Sequence, residues 1–498
     1  LSNIRLKYSG LVNFASRVIS IATGLIFTII VTRRLSEESF GTWQFYSGLL
    51  SYFTTPSFII NYWLIRDLGR GRMVAKSGVF FNSVLSLLST MMFLMVLPII
   101  SSQVTIDMHV VYAFVLWIIL IYHTSSLESV SQGVEPQVIG YGAIVFEVSK
   151  VVVGAVLVGY MRLLLLGAVL SVDLALLIQL LYYSLKLSKY LGGKFSFKDV
   201  HRWFGMSLVP LVSLAPGFVA ALDVLVLTFI TGSILPIAYV KVVNAFAAVI
   251  AFSRLLAIGL YPRLLSGGTD EDIQDSMELV LMFLIPMVLG QLILAEPLLY
   301  FFREEYGPLY NVLRAASLCY AVITLKNFFS MVIQGVEKID AGEDVSWKRI
   351  AQSYLMKIPL IELTGSVSYI ALLSIIVKIL HDLGASPVLV SLSSVSCLLL
   401  TNIVLASYYF KLSRRIAKFP LNFSRISRFL ISGAIMSIML LIFYPESAKS
   451  EQIFVVIVSL IPVILLGIIT YSTVLLAIDS ESRKLLKNAL KYLRVGKT

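Results

Sequence analysis

Apolar runs of about twenty residues, separated by short polar stretches, recur from one end of this chain to the other, and each is long enough for a helix to cross a bilayer. Lipid offers no partner to backbone N–H and C=O groups, so such runs are read as helices. The pattern predicts spans at roughly 9–32, 40–65, 77–100, 109–130, 138–160 and 163–185. A second set falls at roughly 203–230, 237–260, 277–301, 309–335, 351–378 and 387–410, and two more at roughly 428–444 and 452–478. The predicted fold is an all-α polytopic membrane protein of about fourteen spans. Its domains are a six-helix N-lobe (1–200), a six-helix C-lobe (201–412), two extra helices (413–480) and a tail (481–498).

One hairpin pattern occurs twice. In 9–72 an apolar run, the polar turn RRLSEES and a second apolar run lead into RDLGRGR; in 202–263 a similar layout turns at TGSILP and ends in LYPRLL. Arg66 and Arg263 close the two copies, and Ser36 and Ser233 share a register. The copies start six helices apart, so both enter the membrane from the same side, as a parallel repeat with an axis near the membrane normal requires. Substrate is then expected between the lobes.

Composition agrees with the pattern: 58% of residues are hydrophobic and 14% charged. Mean hydropathy is +0.90, so a water-soluble fold has too little polar surface to cover itself. Cys319 and Cys397 both lie in apolar runs and read as small core residues. The first run ends in TRRLSEE without a small-residue cleavage site, so no cleavable leader is expected. The net charge of +12 is spread over alternate linkers, such as 66–76, 186–202 and 411–425. Those linkers should be cytoplasmic, which puts both termini on that side of the cell membrane. Scattered in this way, the charge argues against nucleic acid as a partner. The tail ESRKLLKNALKYLRVGKT separates leucines from lysines on opposite helical faces and suits an anionic leaflet.

LDVLVLTFITGSILPIAYVKVV with LYPRLLSGG, and RRLSEESFGTWQFY in the first hairpin, resemble the polysaccharide transporters, the O-antigen flippase type, of the multidrug/oligosaccharidyl-lipid/polysaccharide (MOP) flippase superfamily. Asp223, Tyr239 and Pro262 match positions of that family's second-half signature, while its Gly-x-Tyr is replaced by Ile237-Ala238-Tyr239. The resemblance implies an alternating-access transporter that moves a polyprenyl-pyrophosphate-linked oligosaccharide, on undecaprenol or dolichol, to the outer leaflet.

The residues suit such a cargo. Asn13, Arg17, Ser20, Gly24 and Thr28 form a polar stripe on the first helix, and Ser47, Ser51, Thr54 and Asn61 one on the second, faces expected to look onto water. Arg17 and Arg254 sit at similar depth, one per lobe, and are read as pyrophosphate ligands because guanidinium donates forked hydrogen bonds to phosphate. The bland alternative is that each snorkels to the interface. Asn244 joins Asn13, Ser20 and Asn61 as a cavity candidate. Arg66 and Arg263 read as cytoplasmic anchors or as an entrance.

Glu147, Lys150 and Asp173 are expected to pair within the first lobe, and Lys326 with Glu362 in the second. Asp223 either holds a coupling proton or Na⁺ or is protonated and hydrogen-bonded; no cofactor or metal is otherwise expected. Pro210, Pro216 and Gly217 predict a kink or an unwound turn in the seventh helix. His109, His123, His201 and His381 fall in no catalytic pattern, and no P-loop or G-x-S-x-G elbow is present, which argues against an enzyme. The alternatives weighed are a cation-coupled multidrug exporter of the same superfamily and a membrane glycan polymerase or ligase. The former prefers acidic cavities and twelve helices; the latter needs a longer outer loop. With both lobes in one chain, a monomer is expected.

Overall fold

A computed structural model describes residues 6–32, 34–35, 37–101, 107–193, 195–233, 235–302, 304–339, 347–450 and 452–495, apart from a few side chains within the helices. Ser36 and the side chain of Thr28 lie outside that description. The described chain is helical throughout, with twelve helices or helix pairs long and apolar enough to cross a membrane. α1, at 27 residues, has the length of a further crossing. The chain divides into two compact units, one of Leu1–Leu211, Ile258–Gly268 and Lys338–Trp347, the other of Val212–Ala257, Thr269–Glu337 and Lys348–Thr498.

The first unit contains α1 (Leu6–Thr32), α2 (Glu37–Thr54), α3 (Ser57–Gly69), α4 (Ala75–Ser101), α5 (Met108–Val134), α6 (Gln137–Gly154), α7 (Leu164–Leu191) and α8 (Phe197–Gly205). The predicted second span is two helices. Pro56 has no N–H to continue the ladder, and the hydroxyl of Thr55 takes the Ser51 carbonyl at 2.9 Å. The predicted seventh span began too early. Residues 197–205 form the separate helix α8, capped by Ser196, whose Oγ accepts from the Asp199 N–H at 3.2 Å.

α8 is held by a buried carboxylate. Asp67, 2% exposed at the end of α3, accepts hydrogen bonds from the Arg202 guanidinium and from the Trp203 indole N–H, the latter at 2.8 Å. Arg72 adds its charge at 3.8 Å.

The unit also takes in the short helix that ends the second hairpin. After α9 (Leu208–Ala220), α10 (Asp223–Thr231) and α11 (Leu235–Ala247) comes α12 (Leu260–Leu265), which packs on α3. Both hairpin copies stop at a glycine in the left-handed region, Gly71 at φ 86° and Gly267 at φ 97°. On α5, Gly133 lets α3 come close: a Cβ there would stand 2.7 Å from the Leu68 side chain and 3.3 Å from the Ile65 carbonyl. Gly133→Leu is therefore expected to destabilise the first unit by about 1–3 kcal/mol, the usual cost of overpacking, read as a lower unfolding temperature in detergent.

The second unit is completed by α13 (Asp270–Ile293), α14 (Ala295–Tyr300), α15 (Tyr310–Val336), α16 (Trp347–Ala351), α17 (Tyr354–Asp382), α18 (Pro387–Ile416), α19 (Phe423–Ile442), α20 (Ile453–Ile478) and α21 (Ser480–Val495). Its starts are written in the sequence. Thr269 and Asp272 cap α13 reciprocally, and Ser386 with Pro387 opens α18. Cys319 and Cys397 are buried free thiols, each 1% exposed, in two apolar clusters of the unit. The last two spans belong to this unit, tied in by a buried charge cluster: Arg425 on α19 binds Glu278 on α13 and Asp479 between α20 and α21. The tail pattern forms α21, whose side chains are described to Lys487.

Asp479 lies just past the last span. Burial pushes its carboxyl up, but the Ser482 hydroxyl and backbone N–H and the charges of Arg425 and Arg428 outweigh that and hold it below its ordinary value. A carboxyl depressed in the folded state stabilises above the unfolded value and loses that contribution as pH falls through the folded one. The stability difference between the wild type and Asp479→Asn is thus expected to be flat above about pH 5 and to shrink below about pH 4. Unfolding temperatures across pH check this; a difference that grows in acid would contradict it.

Candidate functional site

The polar stripe of α1 is divided between packing and exposure. Asn13 is 3% exposed, and its amide donates to the carbonyls of Ser9 and Pro136, both at 2.8 Å. Gly140 makes this possible, since a Cβ there would stand 2.9 Å from the Val12 carbonyl. Ser20 is half-buried and donates to the Ser16 carbonyl at 2.9 Å. Arg17 lies on the open side and is exposed. Its charge interacts with that of Glu128 on α5, a half-buried residue, and Tyr183 on α7 interacts electrostatically with both.

Asn61, from the second stripe, also turns inward. It is 8% exposed, donates to Ser125 at 3.3 Å and accepts from Asn82 at 2.9 Å. Arg17 and Ser51 are exposed, whereas the expectation that these faces look onto water is corrected at Asn13 and Asn61, whose amides cross-link helices instead.

Glu147 and Lys150 lie 2.8 Å apart on α6, and the Thr23 hydroxyl donates to the same carboxylate at 2.9 Å. The Lys150 ammonium also sits over the Phe27 and Phe146 rings. Asp173 does not join them: it is 1% exposed, and neither of its oxygens has a hydrogen-bond partner among the described residues. Arg66 is no open cytoplasmic cation either. It is completely buried, donates to the Tyr261 hydroxyl and stacks over that ring. Its counterpart Arg263 is half-buried on α12, packed by Gly268.

In the second unit the eighth helix loosens into a 3₁₀ stretch, Ala248–Ala257, which carries Arg254. Shortened hydrogen bonding strands carbonyls, and the Gln291 amide takes that of Phe246 at 2.8 Å while accepting from Ser317 at 2.9 Å. Arg254 is exposed, and Asn244, ten residues earlier on α11, is half-buried.

The seventh helix breaks at Ala221–Leu222, one turn beyond Gly217. Asp223 opens α10, where a carboxylate suits the positive helix end, and it accepts from the Tyr369 hydroxyl at 3.2 Å. The broken end of α9 borders a cavity of about 200 Å³ walled by α15, α17 and α18. Lys326 and Glu362 pair in its lining, 3.3 Å apart, with Ser366, Tyr369, Thr401 and Asn402.

Solved structures share this architecture. A point variant of a MATE protein superposes with a TM-score of 0.64 at 12% identity over 86% of this chain and 96% of its own. A multidrug resistance MATE family transporter of the MOP superfamily, in an outward-facing conformation, gives 0.59 at 13% identity over 82% and 96%. The chain has the MATE fold. A MOP superfamily transporter from Pyrococcus furiosus, described as having a binding pocket of reversed polarity that suggests a different function, gives 0.57 at 12% identity over 85% and 96%. No protein-family model and no curated protein matches the sequence.

Within this MATE fold, three groups escaped the sequence reading: Glu128, Asp67 and the Tyr369 partner of Asp223. Each is polar in an apolar run, which is a signal that something binds it, but its partner is far away in sequence.

Proposed function

We propose that this MATE-fold protein is a flippase for a polyprenyl-pyrophosphate-linked oligosaccharide, undecaprenyl or dolichyl, moving it from the cytoplasmic to the outer leaflet for cell-surface polysaccharide or glycoprotein glycan assembly. One observation carries the reading: each unit exposes an arginine inside a membrane-spanning helix, Arg17 in the first and Arg254 in the second. An arginine at such depth is costly against hydrocarbon, so both are read as facing water, where a pyrophosphate is their natural partner. Arg17 stands eleven residues into α1, and Arg254 eleven residues before the end of its span. The reversed pocket polarity described for the Pyrococcus furiosus protein fits a MATE fold turned to a cargo of other charge. The basic linkers support a cell-membrane protein with both termini in the cytoplasm. Asp223 is the proposed coupling carboxylate, for H⁺ or Na⁺, with Tyr369 as its donor.

A second reading, cation-coupled multidrug export, is favoured by the carboxyl groups of Glu128, Asp173 and Glu362 within the spans, since a cationic drug needs such partners. Proteoliposomes separate the two. The flippase reading expects translocation of a fluorescent polyprenyl-pyrophosphate glycan and no export of a cationic dye; the reverse result would replace it with the exporter.

A further inference from the structure

We infer that the cavity of the second unit is a binding site for one hydroxylated sugar ring, an inference that rests on the flippase reading for the source of the ring. The site lies within one unit, walled by α9, α15, α17 and α18. Its volume, about 200 Å³, matches the liquid share of about seven water molecules and suits one ring rather than a chain of them.

The walls choose the chemistry. Lys326 and Glu362 bring opposite charges 3.3 Å apart, and among the described residues neither makes another hydrogen bond. An ammonium has three donors and a carboxylate about four acceptor sites, so most of their capacity faces the cavity unused. Ser366 is uncommitted among the described residues. Thr401 spends its donor on backbone carbonyls, that of Leu398 at 3.0 Å, and Asn402 one of its two N–H groups on the same carbonyl at 2.8 Å, which leaves both side-chain oxygens to accept and one Asn402 N–H to donate. A cation here would meet Lys326, and an anion would meet Glu362. A neutral ligand whose every oxygen both donates and accepts satisfies both at once, and that is the behaviour of a hydroxyl. Ile323, Pro216, Leu398 and Leu405 supply the apolar wall that the C–H face of a ring requires.

The test uses purified full-length protein in detergent with free glucose and N-acetylglucosamine as probes, read by saturation-transfer NMR. Ser366→Leu fills the cavity without touching the ion pair, and Glu362→Gln keeps its shape but removes the charge. The wild type is expected to give ring-proton signals that fall about tenfold in both variants, the scale of a hydrogen bond to a charged group, while their unfolding temperatures show that they are folded. No signal from the wild type, or equal signals from all three proteins, overturns the site. In proteoliposomes the same variants should slow a glycosylated carrier about tenfold and leave bare polyprenyl pyrophosphate unaffected. Equal slowing of both carriers would overturn the sugar assignment. Sugar signals from a wild type that flips neither carrier would reject the flippase reading and support the sugar site.

Discussion

Arg425→Met is expected to destabilise the protein by about 3–5 kcal/mol, because it leaves buried carboxylates without their counter-charge. Arg425 is 8% exposed and binds Glu278, which is 3% exposed, and Asp479, which is fully buried, the latter through Nε at 3.2 Å. Methionine preserves much of the volume, so the loss is electrostatic rather than a cavity. Without the guanidinium, Glu278 keeps only the Gln274 amide, at 2.8 Å, among the described residues. Asp479 keeps Arg428 at 2.9 Å and the Ser482 cap. Arg428 supplies the control. Its side chain is 38% exposed, so Arg428→Met should cost about 1 kcal/mol or less, as exposed pairs do. Unfolding temperatures in detergent compare the two, and equal shifts would show that Arg425 is not the keystone of the cluster.

The same cluster shows where sequence reading stops. Helix existence was legible because apolar runs of membrane length have few other solutions. The break in the seventh helix was legible from Pro216 and Gly217, and it falls one turn later, at Ala221–Leu222. Lys326 and Glu362 were placed on adjacent helices, and their charged atoms lie 3.3 Å apart. Helix faces were much less legible. A span in lipid is apolar nearly all round, so periodicity does not say which side meets a neighbour.

Polar residues on α1 and α3 were therefore assigned to water, although in lipid a neighbouring helix satisfies an amide as well as water does. Asn13 found the Pro136 carbonyl, 123 residues away, and Asn61 found Asn82 and Ser125. Asp67 shows the same limit at the membrane edge. In RDLGRGR it reads as one charge in a basic run, yet its ligands Arg202 and Trp203 lie on α8, whose last residues, 203–205, hydropathy merged with the next span. Arg66, its neighbour, was read as a cytoplasmic anchor or an entrance and is buried against Tyr261 of the second hairpin copy. The Arg66 contact arises because α12 belongs to the first unit, a chain path that linear spacing does not reveal.

The central claim concerns Arg17 and Arg254, and it makes the second large prediction. Each guanidinium is proposed to bind a pyrophosphate with charge-assisted hydrogen bonds, so removing either should slow translocation about tenfold or more. Neither side chain has an ion-pair partner within 4 Å among the described residues, so truncation should cost little stability. Arg17→Lys should retain part of the activity, because an ammonium keeps the charge and loses the fork. Glu128 sharpens the case for Arg17. Its charge already interacts with the guanidinium, so Glu128→Gln should favour binding of the anionic headgroup rather than abolish it.

The most direct measurement is flipping of a fluorescent polyprenyl-pyrophosphate glycan in proteoliposomes by the wild type, Arg17→Ala, Arg254→Ala and the double variant, at matched reconstitution and with unfolding temperatures in hand. The account predicts about tenfold or greater loss in each single variant and no residual activity in the double variant, with folding intact. Wild-type rates in all three variants would contradict it.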